Sequence, residues 1–439
     1  MPICPARLAP AATPRSWFIA LGLCLNASVS MTACVDGEPG TDEAASSDTH
    51  STDTDSTDSD TDTDSTDSDS DSTDTDSDST DTGGPDLEEA VWVLELPSDE
   101  GGSVRDLDVA PNTDLLVAQV DAGEEGGLDG WVHRVSASGE LLWSRDVVDI
   151  PQRVCVNEAG QTYFLGFPYE GPGSEVFPRL TKLDVDGETL WSEAIAPGLA
   201  EFDEIGGIEC APGQDEVYVS GRSVDQRGFW ARYDGQGAEL ALVADVHGGA
   251  PDTPPTQLTS IALVGEDGQG GLLATSSALV EPNSAGYALA LDDQGLVATQ
   301  TSLGSGFTMG PWISTRGDRV AAAILSEGES DDYTLAVSLC DAQGAPLWTR
   351  SDLPGIPSLT ARPLIFDGAG ALFATIPGYA GVVVAKYELG EGGGGPEPEL
   401  FHLTAPGDAA SPSTLGAGSG LVFVGGRFEQ QPWLAAFSL

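Results

Sequence analysis

The segment AVWVLELPS, Ala90–Ser98, has the pattern of a closing strand, yet it stands where the β-rich part of the chain begins. The same pattern returns as ELLWSRDVV (Glu140–Val148), ETLWSEAIA (Glu188–Ala196) and APLWTRSDL (Ala345–Leu353), each time after a glycine turn. Those three copies each end a repeated unit, whereas the first copy has no unit in front of it. The question is therefore which unit it completes.

Turns follow one another at intervals of roughly 8–12 residues from Asp86 onward, the pattern of an all-β protein. The turn glycines are assigned to Gly139, Gly187, Gly235, Gly295 and Gly344, with spacings of 48, 48, 60 and 49 residues. Four strands in about 50 residues is the size of a propeller blade. The last unit, Gly420–Leu439, stops after its third strand, and AVWVLELPS supplies the fourth. The sequence thus predicts an all-β, seven-bladed β-propeller closed by its N-terminal strand, because closure removes the free sheet edge.

The segment EVYVSGRSVDQRGFWARYDGQGAEL, Glu216–Leu240, resembles the bacterial β-propeller repeats related to the pyrroloquinoline-quinone type. The resemblance covers about residues 88–439 and implies the fold, while propellers host many activities. Tryptophan is kept at the repeat position in Trp92, Trp143, Trp191 and Trp348 and is lost in blades three, four and six. We expect these rings to pack one blade against the next. The adjacent cysteine pair of quinone-dependent dehydrogenases is absent, so that activity is not expected.

The N-terminus has the pattern of an export signal. Arg7 and Arg15 precede a short apolar run, Trp17–Ser30, which is too short to span a membrane. The following MTAC, Met31–Cys34, resembles a bacterial lipoprotein lipobox, and this resemblance implies that Cys34 becomes the acylated first residue of the mature chain. An ordinary cleaved signal is the alternative. The predicted domains are a signal peptide (1–33), a tether (34–85) and a propeller (86–439).

The tether consists almost entirely of Ser, Thr and Asp. It has no apolar residues with which to form a core, and its like charges repel one another, so it is predicted to be a disordered spacer. Loose Ca²⁺ binding by its aspartates is an alternative use. Specific sites are not expected, because a calcium loop needs a turn glycine. No other cofactor is predicted.

The formal charge of the chain is −54, and the tether accounts for only part of it. Of the 71 acidic residues 18 precede Asp86, as do two of the 17 basic residues, so residues 86–439 carry −38. Such a surface repels nucleic acid and anionic lipid headgroups. It suits cations, basic partners or solubility in high salt.

Loops on one face of the predicted ring are longer than those on the other, and they are rich in acids. Loops on a rigid scaffold often carry function. The predicted ligand or cation rim on this face comprises Asp121, Glu124, Glu125, Glu170, Asp203, Glu204, Glu327, Asp331 and Asp332. Solvated loop acids without a ligand are the alternative interpretation.

Catalytic motifs are scarce in this sequence. No nucleophile elbow, phosphate-binding loop or C-x-x-C occurs, and the four histidines are too far apart in sequence to suggest zinc. The segment DVDGE, Asp184–Glu188, has the composition of a calcium loop, but a hairpin turn is the favoured interpretation. The metal content is therefore left open, and carboxylates from different blades could still form a glycosidase pair.

Cys155 and Cys210 occupy the same position in adjacent blades, each eight residues before a tyrosine. In an exported protein they could form a disulfide, provided that their Cα atoms lie within roughly 7 Å. Buried free thiols are the alternative. Cys340 has no obvious partner.

These features predict a lipid-anchored β-propeller of the bacterial cell envelope, at the outer membrane and either periplasmic or surface-exposed. Its predicted role is a non-catalytic binding or scaffolding platform. The membrane is engaged through the lipid on Cys34, and the partner is an envelope protein, a basic peptide or a glycan, with no nucleic acid. The alternative is an envelope enzyme that uses carboxylates on the long-loop face, for example for glycan cleavage.

Overall fold

The computed structural model of the protein describes residues 87–98, 101–123, 127–168, 177–195, 202–223, 227–246, 256–265, 271–278, 285–292, 295–305, 307–327, 333–355, 362–378, 381–389, 395–403 and 411–438. Every regular element among them is a β-strand, and the strands form seven sheets. The predicted all-β, seven-bladed propeller is therefore confirmed. The signal peptide and the tether lie outside the described residues.

The chain enters the ring with two short strands, β1 (Leu87–Glu88) and β2 (Trp92–Glu95). Blade 1 contains β3 (Gly102–Val109), β4 (Leu115–Ala122), β5 (Leu128–Val135) and β6 (Leu141–Val147). Blade 2 contains β7 (Asp149–Val156), β8 (Thr162–Pro168), β9 (Arg179–Leu183) and β10 (Thr189–Ala194). Blade 3 contains β11 (Phe202–Cys210), β12 (Glu216–Ser223), β13 (Gly228–Asp234) and β14 (Glu239–Val246).

Blades 4 to 7 repeat this order. Blade 4 contains β15 (Thr256–Val264), β16 (Gly271–Ala278), β17 (Ala285–Leu291) and β18 (Val297–Ser305). Blade 5 contains β19 (Phe307–Arg316), β20 (Arg319–Glu327), β21 (Tyr333–Cys340) and β22 (Pro346–Gly355). Blade 6 contains β23 (Leu364–Phe366), β24 (Leu372–Gly378), β25 (Gly381–Tyr387) and β26 (Glu399–Leu403). Blade 7 contains β27 (Ser411–Gly418), β28 (Leu421–Phe428) and β29 (Gln431–Phe437).

Ring closure is made by β2, the strand formed by the segment AVWVLELPS. It pairs antiparallel with β29 along its whole length, from Trp92 opposite Ala436 to Glu95 opposite Trp433. Blade 7 thereby reaches four strands in the order β2-β29-β28-β27. The first strand of the propeller thus completes the last blade, as predicted, and pairs the edge that β29 would otherwise leave open.

The hydrophobic core lies between adjacent blades, because each sheet is covered on both faces by its neighbours. The second strand of blade 1, β4, is buried at seven of its eight positions, whereas the outer strand β6 has no fully buried residue. One apolar cluster joins Leu107 and Val117 of blade 1 to Phe423 and Leu434 of blade 7. The second strand of blade 1 is therefore almost continuously apolar, as a strand covered on both faces requires.

Tryptophans on the outer strands fasten one blade to the next, as the repeat pattern predicted. The indole Nε1 of Trp92 donates a hydrogen bond to the carbonyl of Ala137 at 2.9 Å, and Trp143 donates to Val185 at 3.0 Å. Trp191 donates to Gly235 at 3.0 Å. Blade 3 has no tryptophan on its outer strand, and Trp230 on its third strand donates instead to Gly295 of blade 4, at 3.1 Å.

Basic side chains form a second set of contacts, hydrogen bonds and an ion pair, between blades 1, 2 and 3. Arg134 donates to the carbonyls of Gly160 and Val185 in the turns of blade 2. Lys182, at the equivalent position one blade further on, is buried and lies 2.8 Å from both carboxylate oxygens of Asp215 in blade 3. Arg134 thus links blade 1 to blade 2, and Lys182 links blade 2 to blade 3, in a chain that has only 17 basic residues.

Two details differ from the prediction. The tight-turn glycine of blade 3 is Gly237, which has φ +83°, and not Gly235, which lies two residues earlier and lacks a positive φ. Blade 6 carries a fifth strand, because β1 pairs in parallel with the outer edge of β26. A strand of two residues is too short to show the alternating pattern by which strands are recognised in a sequence. No helix long and apolar enough for a membrane crossing is found among the described residues.

Candidate functional site

The first strands of blades 1 to 6 surround a cavity of about 190 Å³ on the axis of the ring. Its wall carries five charged or ionisable side chains: Asp106 and Asp108 from β3, Arg153 from β7, Glu209 from β11, and Arg362, which lies just before β23. The sequence pattern did not single out any of these five residues. Apart from the neighbours Asp106 and Asp108, they are separated by tens of residues along the chain and meet only because the ring closes.

Arg362 holds two of the carboxylates. Its Nη1 lies 3.0 Å from Oδ1 of Asp108, and its Nε lies 3.7 Å from Oδ1 of Asp106. Although burial alone would lower the pKa of Arg362, the charges of Asp106 and Asp108 outweigh it and raise that pKa above its ordinary value. The guanidinium therefore stays charged and bridges blade 6 to blade 1.

The same aspartates also accept backbone hydrogen bonds from blade 2. Oδ2 of Asp106 accepts from the N–H of Val154 at 3.0 Å, and Oδ2 of Asp108 accepts from Val156 at 2.9 Å. Asp106 is fully buried, and its Oδ1 accepts a further bond from the N–H of Leu107. Because these carboxylates are used to join three blades, their first role is structural.

Glu209 differs from the two aspartates. Burial raises the pKa of its carboxyl group to about 8; Arg362 opposes this rise, and the charges of Asp108 and Asp106 add to it. Among the residues that the structure describes, none forms a hydrogen bond or an ion pair with Glu209. At pH 7 its side chain is therefore mainly a neutral carboxylic acid that faces the cavity with an unused O–H donor.

Arg153 lines the cavity with a guanidinium that binds only backbone carbonyls. Its Nε donates to Gly206 of blade 3 at 2.9 Å, and its Nη1 donates to Gln152 at 2.9 Å. No carboxylate in the described part of the chain lies within ion-pair distance of it. Burial lowers the pKa of Arg153, but an arginine remains protonated in a protein.

The cavity can therefore offer hydrogen-bond donors to a small polar molecule. A proton donor beside a carboxylate is also the arrangement that general acid catalysis uses. Its volume limits the size of the molecule in either case, because pockets for drug-sized ligands span about 300–1,000 Å³. A cavity of about 190 Å³ is too small for a glycan chain.

The predicted acidic rim is only partly within the described residues. Glu204 is exposed and lies 3.3 Å from Arg222 in an ion pair. Asp121 is 5% exposed and accepts a hydrogen bond from Gln119 at 2.7 Å, so it is buried and does not face solvent. Asp203 and Glu327 lie in β11 and β20, but their side chains fall outside the description. Glu124, Glu125, Glu170, Asp331 and Asp332 lie outside the described residues.

Asp121 belongs to a buried polar network of blade 1 that the sequence analysis missed. The amide nitrogen of Gln119 donates to Asp121 and to the carbonyl of Pro97, so its oxygen faces Nε2 of His133 at 3.0 Å. This arrangement places the imidazole proton on Nε2 and lets Nδ1 accept from the hydroxyl of Ser144 at 2.9 Å. Burial lowers the pKa of His133 to about 4, which makes it a weak base.

Cys155 and Cys210 are joined by a disulfide between blades 2 and 3, with a Cα–Cα distance of 5.7 Å. Cys340 is a free and buried cysteine, and burial raises the pKa of its thiol to about 12. The segment Asp184–Glu188 forms a hairpin turn in which Oδ1 of Asp184 accepts from the N–H groups of Asp186 and Glu188. The described residues contain no cluster of three His, Cys, Asp or Glu side chains that could hold a metal.

Comparison with solved structures shows similarity of fold. Hydrazine synthase of Kuenenia stuttgartiensis is similar with a TM-score of 0.55 and 12% identity, over 78% of this chain and 97% of that one. The Dos1 propeller (TM-score 0.48, 13% identity, 80% and 95% of the two chains) and the β-propeller domain of the Trilobed protease from Pyrococcus furiosus (0.47, 9%, 77% and 96%) are also similar.

No protein-family model matches the chain, and no curated protein matches it. At 12% identity the likeness to hydrazine synthase extends to the propeller fold and not to its activity. Any function must therefore be argued from this chain's own residues.

Proposed function

We propose that this chain is a lipid-anchored β-propeller of the bacterial cell envelope that acts as a non-catalytic binding or scaffolding platform. The supporting observation is the closed ring, in which β2 completes blade 7 and tryptophans fasten blade to blade. A rigid ring can hold long loops in fixed positions, which is how a platform presents a binding surface. The partner is proposed to be an envelope protein, a basic peptide or a glycan bound on the long-loop face.

The membrane anchor is proposed from the lipobox-like MTAC ending at Cys34. Firm anchorage needs two or more acyl chains, since one chain binds a bilayer only weakly. The Ser/Thr/Asp tether would then hold the propeller away from the bilayer, with the outer membrane as the proposed location. The relationship to pyrroloquinoline-quinone-type repeats likewise remains a prediction.

The test labels the chain metabolically with an alkyne-bearing fatty acid in a bacterial host and follows the membrane fraction. Wild type should carry the label and sediment with membranes, whereas Cys34→Ala should lose both properties. Cys24→Ala is the matched control and should keep both. An unlabelled wild type would show that the chain is exported with an ordinary signal. A label that survives in Cys34→Ala would show that another residue carries the acyl chain, and it would overturn the assignment to Cys34.

A carboxylate enzyme is the second candidate, and one observation favours it. Glu209 has a raised pKa and shares the axial cavity with Asp108, as an acid–base pair would. The small cavity argues against a glycan substrate, and the pair lies on the axis and not on the predicted long-loop face. Fluorogenic glycosides incubated with wild type and Glu209→Gln should be cleaved by neither. Cleavage lost specifically in Glu209→Gln would favour the enzyme.

A further inference from the structure

Arg105 is an unusual, partly buried cation. It lies at a bulge in β3, since Val104 pairs with Gln119 and Asp106 pairs with the next residue, Ala118. Its Nε is buried, and no described residue accepts a hydrogen bond from it. A buried charged donor without an acceptor is costly, so a native structure that keeps one calls for a physical explanation.

The charges that act on Arg105 are of its own sign. Burial is the main cause that lowers the pKa of Arg105, and the positive charges of Arg153 and Arg427 lower it further. Arg153, as described above, donates only to two backbone carbonyls. Residues 86–439 contain 53 acidic residues against 15 basic ones, yet the charges that act on Arg105 belong to two further arginines, one from blade 2 and one from blade 7.

We propose that Arg105 and Arg153 bind the oxyanion group of a small ligand, a carboxylate or a phosphate, at the axis of the ring. Guanidinium groups bind both head groups through paired N–H···O hydrogen bonds. The ligand would supply the acceptor that Nε of Arg105 lacks. This site lies at the ring axis and is independent of the predicted acidic rim, so it goes beyond the proposed platform role.

The axial cavity sets the size of this ligand. Arg153 lines the cavity, and Arg105 immediately precedes another lining residue, Asp106, without lining the cavity itself. The cavity volume of about 190 Å³ corresponds to roughly six water molecules in the liquid. Inorganic phosphate or a carboxylate with a few carbon atoms fits such a space. The acidic exterior does not prevent binding, because charges beyond the Debye length of about 8 Å are screened at physiological salt.

Glu209 makes the same cavity more suitable for an anion below pH 8. In its neutral form it can donate its O–H to the ligand, and it adds no negative charge. The charged groups that act on it are Arg362, Asp106 and Asp108, and the two aspartates are already held by Arg362. Affinity should therefore fall as the pH rises through 8 in wild type, and Glu209→Gln should abolish that fall.

The experiment measures the melting temperature of the full chain, dialysed into chloride, against increasing sodium phosphate or sodium acetate at constant ionic strength. A bound anion must raise the melting temperature in a saturable way. Arg105→Met should weaken the affinity about tenfold or more. Without anion, it should be as stable as wild type or more stable, because a buried N–H donor without an acceptor is replaced by an apolar side chain.

Arg319→Met is the matched control, because it removes the same charge from an exposed position and should leave anion binding intact. The anion that saturates at the lower concentration identifies the preferred head group. The proposal is overturned if neither anion gives a saturable shift in wild type. It is also overturned if Arg105→Met unfolds more easily than wild type without anion, because a carboxylate of this chain would then be its partner. Neither outcome bears on the Cys34 labelling test.

Discussion

At the scale of single residues, the distribution of cations shows how the ring is fastened. The chain has only two lysines, Lys182 and Lys386, and both occur at the same position of the third strand of a blade. Lys182 is opposite Trp191 across the sheet, as Arg134 is opposite Trp143 in blade 1. In blades 1 and 2 this position therefore carries a long cation that reaches the turns of the next blade, whereas Lys386 pairs with Glu388 of its own blade.

The turn glycines are fixed by their neighbours as well as by their backbone. Gly295 has φ +75°, and a Cβ at this position would overlap the indole ring of Trp230. Gly420 has φ +74°, and a Cβ there would meet nothing within 4 Å. An alanine at either position would therefore strain the backbone, but only at Gly295 would its Cβ also clash with a neighbouring side chain.

Gly295→Ala is expected to destabilise the protein more than Gly420→Ala. Both variants carry the cost of a left-handed alanine, about 1 kcal/mol. Only Gly295→Ala also displaces the ring of Trp230, and such overpacking costs about 1–3 kcal/mol more. Denaturant unfolding of both variants measures the difference, and equal losses would mean that the indole ring moves away freely.

The pH dependence of stability should reveal Glu209. Burial raises the pKa of its carboxyl in the folded state to about 8, far above the ordinary value that applies in the unfolded chain. Between these values the folded state retains a proton that the unfolded state releases, so the stability of wild type falls as the pH rises. In the Glu209→Gln variant the side-chain amide does not titrate, so this pH dependence should be absent.

The melting temperature of Glu209→Gln relative to wild type should therefore increase from pH 5 to pH 8 and stay constant above pH 8. Glu188→Gln removes an exposed carboxyl and serves as the control for a change in net charge. A difference between wild type and Glu209→Gln that does not vary with pH would contradict the raised pKa.

At the scale of elements, the disulfide links the first strands of blades 2 and 3. Cys155 and Cys210 are 55 residues apart in sequence, and both belong to the apolar cluster between these blades. Closing a loop of that length stabilises a protein by about 4 kcal/mol in the chain-entropy model. The bridge therefore acts on the same contact that Lys182 and Trp191 fasten from the outside.

Reduction of this bridge is expected to lower the melting temperature, and Cys155→Ala should reproduce the effect. Peptide mapping without reductant should recover the segments around Cys155 and Cys210 as one linked species. Cys340→Ala, which removes the buried free cysteine, is the control for loss of a core side chain. Recovery of Cys155 and Cys210 as free thiols would favour the alternative that these are two buried cysteines.

At the scale of the whole molecule, stability depends on a strand that is remote in sequence from the blade it completes. β2 covers the edge of β29, whose residues Trp433 and Leu434 are almost entirely buried. Without β2, that edge would expose unpaired backbone groups and apolar side chains, which promotes edge-to-edge association.

A chain that starts at Gly101, and so lacks β2, should melt at a lower temperature and aggregate, while a chain that starts at Ala90 keeps β2 and loses only β1. Light scattering and thermal unfolding compare the two. The peptide AVWVLELPS added in trans should partly restore the shorter chain. If both chains were equally stable, ring closure by β2 would contribute little.

The repeat, the strand content and the closure of the ring could be predicted because each depends on local signals: alternating apolar residues, turn glycines and a tryptophan at a fixed place. The fifth strand of blade 6 and the turn at Gly237 were not predicted. Two residues of β1 carry no periodicity, and the segment DGQGA around Gly235 and Gly237 offers two glycines of which only one has a positive φ.

The sequence by itself determined the seven-bladed ring and the strand that closes it, since blade size and turn chemistry are encoded within each unit of about 50 residues. Only the tertiary structure decided which charges meet on the axis. Asp106, Arg153, Glu209 and Arg362 come from four blades, and their meeting depends on the closed ring and on bulges that change the register within the first strands. A one-residue change of register moves side chains to the opposite face of a strand, and no local pattern in the sequence records it.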